Sequence, residues 1–172
     1  MEKDIMRKII NSWINKEGYF CFGCCKENHA GVKMDFYVDG DEVVSYWKPE
    51  DRFQGWIDTL HGGIQAVLLD EICGWAVMHK TQTSGMTTQL ELRYKRPASS
   101  SDAYLMLRAK VTDVRKNLVT VEASLMNSVG ELCTQAVSTY FAFPPEKSEE
   151  MGFYGLYLED KELTEAEIIA SL

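Results

Sequence analysis

His61-Gly62-Gly63 stands directly ahead of a long apolar run, and Asp70-Glu71 interrupts that run about two helical turns later. Two glycines at the mouth of a helix let a ligand or another backbone approach without a Cβ in the way, and first-turn N–H groups have no intrahelical acceptor. The Gly62 N–H, at the positive end of a helix dipole, can therefore bond a ligand oxygen and stabilise charge developing on it. A carboxylate near a bound ester can deprotonate water or attack the carbonyl itself. Asp70 is read as that acid and Glu71 as its alternative, because one sequence does not fix the rotational register of a helix. Bland readings stand beside these: either acid can be a solvated or ion-paired helix residue, and the His61 ring can simply bind a backbone group at the helix start.

A second constellation is Cys21-x-x-Cys24-Cys25 with His29. A Cys-x2-Cys pair is half of many structural zinc sites, but no second pair of cysteines or histidines follows. No metal is expected, and the segment is read as a packed loop. Cys73 and Cys133 lie in apolar runs and are assigned to the core. Five cysteines are an odd count without small-scaffold spacing, so no structural disulfide is expected.

The formal charge of -8 argues against nucleic acid as a partner, since such binding neutralises backbone phosphates with bases. The charge is uneven. Residues 91–120 hold seven bases against three acids, a local +4, so the rest of the chain carries -12. Water-facing strand residues are often Lys or Arg, which accounts for part of this. The sharper reading is a landing site for a small polyanion, with Arg93, Lys95, Arg96 and Arg115 as candidates. Met1 to Lys16 lacks the apolar core of a signal peptide and no run is long enough to span a bilayer, so a cytoplasmic location and no membrane partner are expected.

Those residues need elements to hold them. Ile5, Ile9, Ile10 and Trp13 recur at helical spacing and predict an amphipathic helix over residues 4–14. Val32 to Val38 and Glu42 to Trp47 flank Asp39-Gly40-Asp41, a hairpin signal. Residues 63–80 are almost continuously apolar and predict one helix of about five turns, surrounded by protein. From Met86 the period changes to two, predicting three alternating strands and a more apolar last one, Cys133 to Phe143. Glu146 to Glu150 reads as a charged linker, and Thr164-Glu165-Ala166-Glu167 has the capping-box spacing of a short terminal helix. The predicted class is α+β, an antiparallel sheet wrapped around one long central helix. Three regions follow: a helical 1–17, a main domain 18–145, and a linker with a short helix over 146–172.

His61-Gly62-Gly63-Ile64, then Leu68-Leu69-Asp70-Glu71, then Tyr94-x-Arg96-Pro97 at a strand end, resembles the hotdog-fold acyl-CoA thioesterase superfamily, in particular its phenylacetate-degradation branch. The resemblance covers roughly residues 18–143. It implies hydrolysis of an acyl-CoA to free acid and CoA, with Gly62 polarising the carbonyl, Asp70 as base or nucleophile, and Thr87 or Thr88 helping to hold water. It also implies a homodimer or homotetramer with the site at a subunit interface, Gly63 and the basic residues beside the CoA, and no cofactor apart from the CoA of the substrate. Relatives often carry an Asn or Gln shortly before the His-Gly-Gly; Gln54 is the nearest candidate here. The alternative function is a non-catalytic acyl-CoA or acyl-carrier-protein binding module.

Overall fold

In a computed structural model, residues 5–172 are described. One eight-stranded antiparallel sheet carries the strands β1 (Ile5–Ile10), β2 (Tyr37–Asp39), β3 (Glu42–Trp47), β4 (Gly85–Tyr94), β5 (Leu105–Arg115), β6 (Leu118–Met126), β7 (Leu132–Ala142) and β8 (Tyr157–Thr164). Their spatial order is β4-β7-β6-β5-β3-β2-β1-β8, so β4 and β8 are the edges. The long helix α1 (Gly62–Thr81) packs on β3, β4, β5, β6 and β7. The sheet therefore curves around one central helix, as the apolar run predicted. Leu68, Leu69, Ile72, Cys73, Trp75, Ala76 and Val77 of α1 are all buried, together with the inward residues of β5, β6 and β7. Cys73 and Cys133 belong to this core.

The N-terminal helix expected over residues 4–14 is not there. Asp4 lies outside the described residues, and Ile5–Ile10 is a strand paired with β2 on one side and β8 on the other. The apolar spacing misled because this strand is covered on both faces. Met6 packs with Tyr37, Val44, Tyr46 and Ile168 on the outer face, and Ile9 joins the central core on the inner one. A strand buried on two faces loses its polar alternation.

The C-terminal region likewise differs from a linker. Helix α2 (Pro145–Glu150) follows β7, and β8 then completes the sheet before helix α3 (Glu165–Ala170). The predicted capping box is present: the Thr164 hydroxyl accepts the Glu167 N–H, and Glu167 reaches back to the Thr164 N–H. Ile168 of α3 seals the outer cluster around Met6. Of the run 32–38, only the end enters the sheet; residues 32–36 are irregular. No helix among the described residues is long and apolar enough to cross a membrane.

Candidate active site at the central helix

Helix α1 begins at Gly62 with His61 as its N-cap. The His61 Nδ1 accepts the Gly63 N–H at 2.9 Å, and the His61 carbonyl accepts the N–H groups of Ile64 and Gln65. His61 is thus a capping residue, and the Gly63 N–H is occupied by it. The Gly62 N–H has no acceptor among the described residues, which leaves it as the one donor of the helix mouth open to a ligand. Tyr94, at the end of β4, donates its hydroxyl to the Gly62 carbonyl at 2.7 Å. The approach is close: a Cβ on Gly62 would lie 3.3 Å from that hydroxyl oxygen.

Asp70 sits on the face of α1 that meets β4 and β7. Its Oδ1 accepts the Thr87 hydroxyl at 2.8 Å and the Tyr140 hydroxyl at 3.0 Å, and Tyr140 also reaches the Asp70 carbonyl oxygen at 2.7 Å. Thr87 and Tyr140 are directly paired across β4 and β7. Asp70 Oδ2 has no hydrogen-bond partner among the described residues. Burial and the adjacent Asp70 charge push the Tyr140 hydroxyl well above the usual phenol range, so it stays protonated and donating. Such a carboxylate is oriented through one oxygen and leaves the other free for a proton or a carbon.

Of the threonine pair, the structure brings only Thr87 to Asp70. The β4–β7 register shifts between Thr87 and Gln89, and Thr88 turns outward to donate to the Thr139 carbonyl. Tyr140 was missed in the sequence because the last strand is apolar on both faces. The available signal was a lone Tyr hydroxyl inside such a strand, since a buried Tyr hydroxyl finds a partner.

Glu71 points elsewhere, as residues one apart on a helix diverge by about 100°. It faces the N-terminal cysteine segment, with the Cys21 Sγ 3.7 Å from both carboxylate oxygens and the Trp75 Nε1–H donating to one of them at 3.3 Å. Burial and Cys21 push its carboxyl up to about 7. Glu71 therefore does not share the Asp70 site.

Gln54 is exposed, and its backbone bridges Leu60 in the loop before α1. It stands by the helix mouth, and its side chain bonds nothing among the described residues. On the same loop Trp56 and Ile57 are 83% and 86% exposed.

The basic candidates divide. Arg93, Lys95 and Arg96 are neighbours of Tyr94 in the chain at the helix-mouth end of the sheet, all exposed, with Arg93 turned to the face opposite Tyr94, where it pairs with Glu91. Arg115 is level with Leu118, Phe141 and Met86 in the ladder, at the opposite end of the sheet. Seven strand residues separate Met86 from Arg93, about 23 Å. Arg115 thus cannot join the other three within one chain. Arg108 and Lys110 are held by Asp39, Glu42 and Asp41, which explains part of the local positive charge as cross-strand pairing.

The thioesterase superfamily model matches residues 58–134, the segment holding the helix mouth, Asp70, Thr87 and β4 to β6. No curated protein matches the chain. Among solved structures, a thioesterase superfamily protein shares 26% identity and a TM-score of 0.62, over 67% of this chain and 56% of that one. The chain thus spans little more than half the length of that neighbour. A hypothetical thioesterase of Streptococcus pneumoniae, crystallised with coenzyme A, shares 22% identity and a TM-score of 0.56 over 59% of this chain and 78% of its own. A putative thioesterase from Ralstonia eutropha, described as related to phenylacetic acid degradation, shares 21% identity and a TM-score of 0.58 over 65% of this chain and 86% of its own. The fold of this chain is the hotdog fold of the thioesterase superfamily.

Proposed function

We propose, from a hotdog chain whose residues 58–134 carry the thioesterase superfamily pattern, that this protein hydrolyses acyl-CoA thioesters to free acid and CoA in the cytoplasm. The observation that carries the reading is the Asp70 carboxylate, fixed through Oδ1 by Thr87 and Tyr140, on a helix that begins at Gly62; among the described residues neither Oδ2 nor the Gly62 N–H has a partner.

In one route Oδ2 takes a proton from water, and the resulting hydroxyl attacks the thioester carbon. The carbonyl oxygen gains negative charge and is stabilised by a Gly62 N–H; the C–S bond then breaks and the CoA sulfur leaves with the proton. In the other route Oδ2 itself attacks, the CoA thiolate departs, and water hydrolyses the mixed anhydride. Thr87 and Tyr140 serve both routes by holding the carboxylate.

The reading requires a second copy of the chain. Eight residues of helix separate Gly62 from Asp70, a rise of about 12 Å, whereas both groups must come within about 3 Å of one thioester. The Gly62 that serves a given Asp70 is therefore the partner's. The free edge of β4 and the exposed Trp56 and Ile57 beside the mouth suit burial in such an assembly. Coenzyme A in the pneumococcal neighbour supports a CoA ester as substrate, and Arg93, Lys95 and Arg96 are the bases proposed to meet its phosphates.

Release of free thiol from a panel of short, medium, long and aromatic acyl-CoAs tests the function. Turnover of at least one class is expected. Binding of the panel without thiol release would make the protein a non-catalytic acyl-CoA binding module.

A further inference from the structure

We infer that Cys21, Cys24 and Glu71 form a site for a divalent zinc-class metal ion, with three protein ligands and a fourth position open to a cavity. The two Sγ atoms and a carboxylate oxygen all lie within 4.8 Å of one another, and the Cys21 Sγ is 3.7 Å from each Glu71 oxygen. Ligand atoms around a tetrahedral zinc, with Zn–S near 2.3 Å and Zn–O near 2.0 to 2.2 Å, stand about 3.5 to 3.8 Å apart. The sequence pattern looked like half a site because its third ligand lies far along the chain, on the central helix.

The surroundings are those of metal ligands. The Gly23 N–H donates to the Cys21 Sγ at 3.3 Å, the Asn11 amide donates to the Cys24 Sγ at 3.6 Å, and the Tyr19 hydroxyl is 2.9 Å from the Cys24 Sγ. The Trp75 Nε1–H holds the Glu71 carboxylate. Hydrogen bonds of this kind orient thiolate and carboxylate ligands and set their basicity. A Cβ at Gly23 would fall 2.3 Å from Glu71 Oε2, so a side chain there would push the carboxylate out of its place beside the two cysteines.

Charge argues the same way. No Lys, Arg or His forms an ion pair with Glu71 among the described residues, so a largely enclosed carboxylate faces two thiols with no positive charge. A divalent cation supplies it. Trp13, Tyr19, Trp75 and Met78 line a cavity of about 230 Å³ that opens onto the three donor groups. The fourth position thus meets apolar walls, room for a water or a small soft ligand. The ion would also tie the 19–34 segment to α1, on the side of the helix away from Asp70.

The test uses the full chain, expressed with zinc supplied and kept reduced. Metal analysis should find about one zinc per chain, and replacement by Co(II) should give the thiolate charge-transfer and intense visible bands of a tetrahedral site. Cys21→Ser, Cys24→Ser and Glu71→Gln should each weaken metal affinity by more than the roughly 10- to 100-fold expected for an outer partner such as Tyr19→Phe. Cys133→Ser, in the core of the sheet, should retain the metal. Reduced wild-type protein that holds no zinc and gives no cobalt bands overturns the site, whether its thiols then stay free or oxidise to a Cys21–Cys24 disulfide. Metal retained in all three ligand variants overturns it as well.

Discussion

Among the described residues Asp70 carries two hydrogen bonds on one oxygen and none on the other, and the two donors come from a cross-strand pair. They fix where the free oxygen points. Thr87→Val and Tyr140→Phe should each lower kcat by about 10- to 100-fold, matching the 1.5 to 3 kcal/mol of a hydrogen bond to a charged group. KM should hardly move, because neither hydroxyl is asked to bind substrate. Thr88→Val is the matched control, and its kcat should stay at the wild-type level; equal losses at 87 and 88 would remove Thr87 from the site. The sequence brought both threonines forward and could not separate them. What separates them is an irregularity in the β4–β7 pairing, which depends on a strand about fifty residues away. Asp70 and Gly62 were legible because the glycines and the acid share one continuous helix.

Among the elements, α1 was readable from composition, since an apolar circumference demands enclosure. The strands β4 to β6 were readable from their alternation, and β7 as a more apolar last run. β1 was not, because both its faces are covered, and β8 was not, because Tyr157–Thr164 is a mostly exposed, charged edge strand that reads as linker. The basic candidates sort by element too. Arg93 belongs to the end of β4 and Lys95 and Arg96 follow directly after it, whereas Arg115 belongs to the far end of β5. Their ion pairs, Arg93 with Glu91 and Arg96 with Glu131, are exposed and weak, so the cations stay available to a phosphate. Neutralising Arg93, Lys95 and Arg96 together should raise KM for CoA esters by roughly tenfold at low salt, with less effect as ionic strength rises. Arg115→Gln should leave KM unchanged if each site draws its bases from one chain end. An equal response of simple pantetheine thioesters to the triple change would show that these residues do not read the phosphates.

At the scale of the whole molecule, the distance along α1 sets what the proposed reaction requires of an assembly. A Gly62 N–H and an Asp70 carboxylate about 12 Å apart in one chain act on one carbonyl only if two chains contribute one each. This can be separated genetically. Gly62→Pro removes the N–H at the first helical position, where proline is favoured, and the extended His61 before it already has a backbone that proline accepts. The fold should survive while the oxyanion donor is lost, at a cost of about 10² to 10³ in kcat. Asp70→Asn removes the base or nucleophile and should cost about 10² to 10⁴. In a mixed dimer of the two variants, one site carries both lesions and the other carries neither. The decisive measurement is thiol release by a denatured and co-refolded 1:1 mixture of Asp70→Asn and Gly62→Pro chains. Random pairing makes half the molecules mixed, so activity should return to about a quarter of wild type although each variant alone is nearly inactive. A mixture as inactive as its components, with refolded wild type active beside it, would contradict the shared site; wild-type protein that releases no thiol from any acyl-CoA would contradict the hydrolase reading.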